Sequence, residues 1–544
     1  MFRKSAMALT LVMLILAGCS KKDPKIYAQD GPAVDGDILV ESAIGDAKTL
    51  NPALVSENSG GDIDALVFNG LLRYDKNLQL EPCLAEKWSV SKNGKIVTYN
   101  LRKGVKFHDG VEFTANDVVF TWKVFSDPTV NTPYGADYQY IKDVEIMDPY
   151  VVKVTYKKAF APALTNTFTS ILPKHLLEGK DINHYDEFNR HPVGTGPFKF
   201  SEWKSAQQIV LEANPDYWEG KPRVKKFIMR IIPDQSSEFL SLLKGETDAM
   251  GAWTSGTLSP EQYARQTDTP KFTDYYNKYQ TDQFVYYYIG WNLENPLFKD
   301  VRVRRALTMA IDRQAIIQNV VYGLGSVCTG PFVPTSWANN PDVKPLPYDP
   351  EAAKGLLKQA GWKLGPDGLL TKGKTVFKFK LYTNQGNVSR ERIATIVQQQ
   401  LKLIGIDCQP QIMEWTTLLS EYVNKRKYDA MVMGWQFGPE PDCYLSWHSS
   451  QMGEHQYNLV DYKNKEVDRL LISGRETLDQ GKRAKIYRRI HKLLADDVAA
   501  TFLYVPYSLP AVHKRFKGLE TNRNGIGWHP EKWYVPSAQQ KYAQ

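Results

Sequence analysis

Gly368-Leu369-Leu370-Thr371-Lys372-Gly373-Lys374-Thr375, followed by Val376-Phe377-Lys378-Phe379-Lys380-Leu381, can be read two ways, and the choice decides the fold. The first eight residues fit the nucleotide-binding pattern G-x-x-x-x-G-K-[ST]. Such a loop needs a buried strand before it and a helix after it, so that backbone N–H groups and the helix dipole face the phosphates. Neither flank fits. Upstream, Trp362-Lys363-Leu364-Gly365-Pro366-Asp367 is turn-rich. Downstream, Phe377, Phe379 and Leu381 alternate with Lys378 and Lys380, the period of a half-buried strand. The stretch therefore reads as a polar turn in a hairpin-like connection that leads into a strand.

Working outward, Ile393, Ile396, Val397, Leu401 and Ile404 form a helical apolar stripe closed by Gly405. A strand near Ile406 and the apolar run Ala430-Met431-Val432-Met433 follow. Strand, helix and strand in this order predict an α/β sheet with covering helices in the C-terminal half. Before it, Asp300 is placed to cap a helix carrying Val303, Ala306, Leu307, Ala310 and Ile311 on one side. Farther upstream, Trp88-Ser89-Val90 and Val97-Thr98-Tyr99-Asn100-Leu101 flank Asn93-Gly94, predicting a hairpin with a type I′ turn. Thr114-Ala115-Asn116-Asp117 has the spacing of a capping box.

The N-terminus predicts export. Arg3 and Lys4 precede the apolar run from Ala6 to Leu16, which is shorter than the roughly 20 residues needed to span a bilayer. Leu16-Ala17-Gly18-Cys19 then resembles a bacterial lipoprotein signal, which implies lipidation of Cys19 as the mature N-terminus and removal of residues 1–18. Residues 19–36, polar with little to bury, are expected as a flexible tether. The chain holds 68 Lys and Arg against 60 Asp and Glu, a net charge of +8 to which Arg3 and Lys4 contribute. That mild excess, with no dense basic run, does not point to nucleic acid. Cys83, Cys328, Cys408 and Cys443 are too dispersed for a zinc site; structural thiols or a single bridge are both compatible with export.

Motifs for catalysis are missing. The sequence has no G-x-S-x-G, no H-E-x-x-H and no C-x-x-C. Gly323 and Gly325 begin a dinucleotide-like pattern that ends on Cys328. His448 and His455 stand seven apart with no third metal ligand evident. No enzyme, metal or cofactor is expected. The 13 Trp and 30 Tyr are the informative excess, since their apolar faces and polar handles suit walls that hold amphipathic ligands.

Several stretches together resemble the bacterial extracellular solute-binding proteins of family 5, the dipeptide and oligopeptide binding proteins of ABC importers. They are Leu84-Ala85-Glu86-Lys87-Trp88, Leu101-Arg102-Lys103-Gly104-Val105-Lys106-Phe107-His108-Asp109-Gly110, Gly194-Thr195-Gly196-Pro197-Phe198, Asn214-Pro215-Asp216-Tyr217-Trp218, Val301-Arg302-Val303-Arg304-Arg305-Ala306-Leu307 and Tyr348-Asp349-Pro350-Glu351-Ala352-Ala353. The resemblance implies a periplasmic-binding-protein type II fold in its large three-domain form. Lobe I would be formed by residues 37–62, 190–282 and 509–544, an inserted domain by 63–189, and lobe II by 283–508. It also implies a monomeric receptor without a cofactor, held to the membrane by its lipid. Its partners would be a peptide, a permease and, through the permease, the ATPases that use the ATP.

For the ligand cleft, Gly434-Trp435-Gln436 resembles the family's Gly-Trp segment, whose backbone pairs with an extended peptide. Val55-Ser56-Glu57-Asn58 falls near the family's other ligand-contacting strand. One position departs: where dipeptide and oligopeptide binders carry an aspartate for the peptide's α-ammonium, this chain has Gly438. Glu440 and Asp442 are displaced candidates for that role. The departure also leaves nickel complexes, sugars and other small solutes open as ligands.

Overall fold

The computed structural model describes residues 24–521 and 525–542. Three sheets carry the architecture. The first begins with β1 (Ile38–Ala43) and has seven strands in the order Tyr276–Lys278, Ala511–His513, Ala249–Met250, β1, Lys226–Ile231, Gln208–Ala213 and Phe198–Lys204. Its strands come from the start, the middle and the end of the chain. One buried ion-pair group joins these distant stretches: Arg515 holds Asp37 at 2.9 Å and Asp248 at 2.6 Å, all three side chains essentially without solvent contact. After β1, Glu57 caps α1 (Asn58–Val67), accepting from the backbone N–H groups of Ser59 and Gly60.

Between these segments lies an antiparallel four-stranded sheet in the order Ala85–Val90, Ile96–Leu101, Val151–Tyr156, Ile141–Asp148. The helix Ala115–Ser126 carries the expected capping box, with Thr114 and Asp117 each bonding the other's backbone end. The Asn93-Gly94 hairpin is present, and its turn differs from the expectation. Gly94 has φ +66° while Asn93 stays out of the left-handed region, so the longer loop 91–95 closes through a Gly94 N–H to Ser91 bond instead of a type I′ turn. Five loop residues relax the demand for two consecutive positive φ angles.

The second large sheet contains β2 (Val285–Trp291), β3 (Lys378–Asn384) and β4 (Ala430–Gln436) in the order Gly325–Val327, Thr501–Pro506, β2, β4, β3, Asp407–Met413. α2 (Val388–Lys402) connects β3 to the parallel strand Asp407–Met413 and buries Ile393, Val397 and Leu401. GLLTKGKT forms part of a small antiparallel sheet, Lys363–Leu364, Leu370–Lys372 and Thr375–Val376. Lys372 faces Thr375 across Gly373-Lys374, and β3 follows directly. It opens a strand, as its alternation predicts. A last helix, α3 (Lys465–Glu476), packs Val467, Leu470 and Leu471 inward.

The chain crosses between the two large sheets twice, after Lys278 and after Pro506, and the crossings pair: Thr281 and Ser508 exchange backbone hydrogen bonds of 3.0 and 2.9 Å. Two further expectations meet the structure here. All four described cysteines are free thiols. The segment expected as tether packs from Pro24 onward. Tyr27 is buried edge-on against His513 at 4.7 Å, its carbonyl accepts from Lys517, and Gly36 donates to Arg223. A single aromatic anchors a stretch whose overall composition is polar. Cys19 and the export signal lie outside the described residues, among which no helix is long and apolar enough to cross a membrane.

Candidate functional site

The candidate site is built on β4, a central strand of the second large sheet. Its pairing with β2 runs its whole length, from Val285 opposite Gln436 to Trp291 opposite Ala430. Its pairing with β3 covers only Ala430 and Met431. Among the described residues, the edge of β4 from 433 to 436 therefore has a strand on one side only. An unpaired strand edge is a row of donors and acceptors ready for an added strand. Gly434 is closely approached: a Cβ there would stand 3.1 Å from an Arg390 nitrogen and 3.2 Å from the Tyr287 ring.

Arg390, in the first turn of α2, stands beside Gly434 and was not singled out by sequence reasoning. Asn384 accepts from its Nη1 at 2.8 Å, and its guanidinium lies over Tyr287 and Trp415. No carboxylate of the described residues comes within ion-pair distance, and its Nε is buried without an acceptor. One signal was available. A cation in the first turn of a helix opposes the helix dipole, so it is held there by something other than helix stability.

The other predicted wall contains the stretch 55–58. Val55 is buried, Ser56 and Asn58 are exposed, and Glu57 is engaged as the α1 cap, with burial raising its carboxyl above the usual range. Lys48 lies near Glu57 and near Glu414, and burial lowers its ammonium pKa. Aromatic contacts bring the two predicted walls together: Trp435 meets Tyr457 edge-on at 5.0 Å, Tyr457 meets Tyr134 at 6.1 Å, and the Tyr134 hydroxyl donates to the Val55 carbonyl at 3.1 Å. Gln436 is exposed at the end of the strand. A small hollow of about 20 Å³ beside Trp435 is lined by Tyr286, Phe332, Phe437 and Trp447.

Glu440 and Asp442 are both already paired. Glu440 meets Arg483 through two bonds, one of 3.2 Å. Asp442 holds Arg475 at 2.7 Å; Arg475, on α3, also binds Asp137 of the inserted region and stacks 3.9 Å over Tyr444. Burial raises the carboxyl of Glu440, and Arg483 opposes that rise. A ligand ammonium at either carboxylate would have to compete with a guanidinium. Gly438 has nothing within 4 Å of where a side chain would begin, so the position of the missing aspartate is open space.

The comparisons agree with this architecture. The family description "Bacterial extracellular solute-binding proteins, family 5 Middle" matches residues 79–455. The oligopeptide-binding protein AppA of Bacillus subtilis is 37% identical over 98% of this chain and 99% of its own length. Its structure with a nonapeptide superposes with a TM-score of 0.87 over 93% of this chain and all of that chain. NikZ of Campylobacter jejuni, in complex with Ni(L-His), has a TM-score of 0.83 at 29% identity, covering 92% of this chain and 99% of that one. The ABC transporter-associated periplasmic binding protein DppA of Helicobacter pylori, in complex with the peptide STSA, gives 0.82 at 27% identity over 93% and 99%. Continuous similarity over the full architecture, including the type II periplasmic-binding fold, identifies the chain: it belongs to the bacterial extracellular solute-binding proteins of family 5.

Proposed function

We propose that this protein captures peptides between its two lobes and delivers them to the permease of an ABC importer, anchored to the membrane through Cys19. The observation that carries the peptide reading is the unpaired edge of β4 at residues 433–436 beside the free guanidinium of Arg390. An extended peptide adds to the edge through its backbone, and its terminal carboxylate pairs with Arg390. The peptide ligands of AppA and DppA support the same reading. Paired crossings at Thr281 and Ser508 support a hinge and lobe divisions near residues 282 and 508. The role is binding without turnover, by a monomer. Peptide returned intact after incubation, and a single-chain mass in solution, are the outcomes expected.

The experiment that tests the function is native mass spectrometry of the chain from residue 20 onward, followed by gentle denaturation to release what co-purified. A ladder of small peptides supports the peptide reading. A metal complex, the ligand class of NikZ, or a single non-peptide mass would replace it with transport of another solute.

A further inference from the structure

On the lobe I side an open-sided cavity of about 430 Å³ lies along α1. Asp64 and Ser170 line it together with the aromatic residues Phe68, Tyr74, Phe168 and Trp528. It adjoins the loop that lacks the aspartate, because Tyr74, which lines it, lies near Glu440. We propose that this cavity receives a primary ammonium group of the bound peptide, and that Asp64 is its counter-ion. The inference rests on the peptide reading above and assigns the amine end of that ligand.

Three observations support the assignment. Asp64 is the cavity's uncompensated charge. At the far end, Arg73 is held by Glu81 and by both oxygens of Glu219, and His529 by Glu531 at 2.5 Å. Asp64 has only the Ser170 hydroxyl, 3.0 Å from each oxygen, and no cation of the described residues within ion-pair distance. A half-buried carboxylate held by a single hydroxyl gains a charge-assisted hydrogen bond from an arriving ammonium. Second, Tyr74 and Phe168 meet edge-on at 4.7 Å, and aromatic walls of this kind favour a cation. Third, Glu440 and Asp442 are committed to arginines and Gly438 offers no side chain, which leaves Asp64 as the carboxylate for an N-terminus. Tyr134 lies close enough to Asp64 to feel its charge while bonding Val55, which places the carboxylate beside the peptide path.

The test is calorimetric titration of wild type and Asp64→Asn with three short Ala/Ser peptides of one length: free N-terminus, N-acetylated, and N-acetylated with lysine first. Wild type is expected to bind an amine-bearing peptide at least about tenfold more tightly than the acetylated one. The free and the lysine peptides distinguish an α-ammonium from a side-chain ammonium. Asp64→Asn preserves the shape of the side chain and is expected to bring the preference below about twofold, while its affinity for the acetylated peptide stays at the wild-type value and shows that the variant is folded. A full preference persisting in Asp64→Asn, or no preference in wild type, overturns the inference alone. Failure of wild type to bind any of the peptides overturns the peptide reading and the inference with it.

Discussion

The two walls of the cleft handle charge in opposite ways. On the side of the first large sheet three carboxylates have no cation within ion-pair distance among the described residues: Glu41 is satisfied by the backbone N–H groups of residues 252–254 and the Thr254 hydroxyl, Asp62 by Ser255, and Asp64 by Ser170. The lobe II wall has compensated its carboxylates, giving Glu440 to Arg483 and Asp442 to Arg475, and leaves the cation Arg390 free. On the proposed function, a zwitterionic peptide lying between the lobes would supply a partner to Asp64 and to Arg390, and lobe closure would remove water from both pairs.

The sharpest way to break this contrast is to uncompensate the second wall. Asp442→Ala leaves the guanidinium of Arg475 buried with only Asp137, and a loss of about 3–5 kcal/mol in unfolding free energy is expected by denaturant titration. Unchanged stability with a selective loss of affinity for free-amine peptides would instead restore Asp442, or with it Glu440, as the ammonium site. Arg390→Ala removes the free cation. The expected cost is about 2–5 kcal/mol in binding a peptide with a free C-terminus, with little change for the C-terminally amidated peptide; calorimetry distinguishes the two.

The first wall makes a prediction about pH. Burial raises Glu41, Asp62 and Asp64 to about 7 and Glu238 to about 8. A carboxyl whose folded pKa is raised keeps a proton that the unfolded chain has released, so its contribution is full below the unfolded pKa and lost as pH rises through the folded one. His108 and His491, pushed down to about 4 by burial, act in the opposite sense up to their unfolded pKa of about 6.5 and then cease to oppose. The ligand-free protein should therefore melt at lower temperature as pH rises from about 6.5 to 8, by up to about 1.4 kcal/mol per pH unit for each group still protonated. Asp64→Asn should flatten that slope; a melting temperature that climbs through this window would mean the wall is compensated after all. The smallest effect is the baseline. Lys374→Ala, a cation of the GLLTKGKT turn away from both walls, should change stability by less than about 0.5 kcal/mol and peptide affinity not at all.

Much of this molecule was legible from local patterns. The alternation after Thr375 excluded a phosphate loop, the α2 stripe buried Ile393, Val397 and Leu401, and the Thr114 cap formed as spaced. These features depend on contacts within a few turns of chain, where side-chain periodicity fixes which face is buried. The hairpin turn was misjudged because loop length, set by where Val90 meets Val97, overrode the preference of Asn-Gly. Tyr27 was overlooked because a composition average hides one anchoring aromatic.

The sequence by itself determined the α/β class, the family and that Gly434-Trp435-Gln436 ends a buried strand. Tertiary structure alone decided which charges are free. Glu440 and Asp442 look like available carboxylates in a polar loop, and their arginines stand more than thirty positions away; Arg390 and Asp64 look like ordinary helix-surface residues, and only the folded chain shows that neither has an opposite charge of the described residues within ion-pair distance. Pairing of charges depends on distance in space, which the order of residues along a chain does not encode locally.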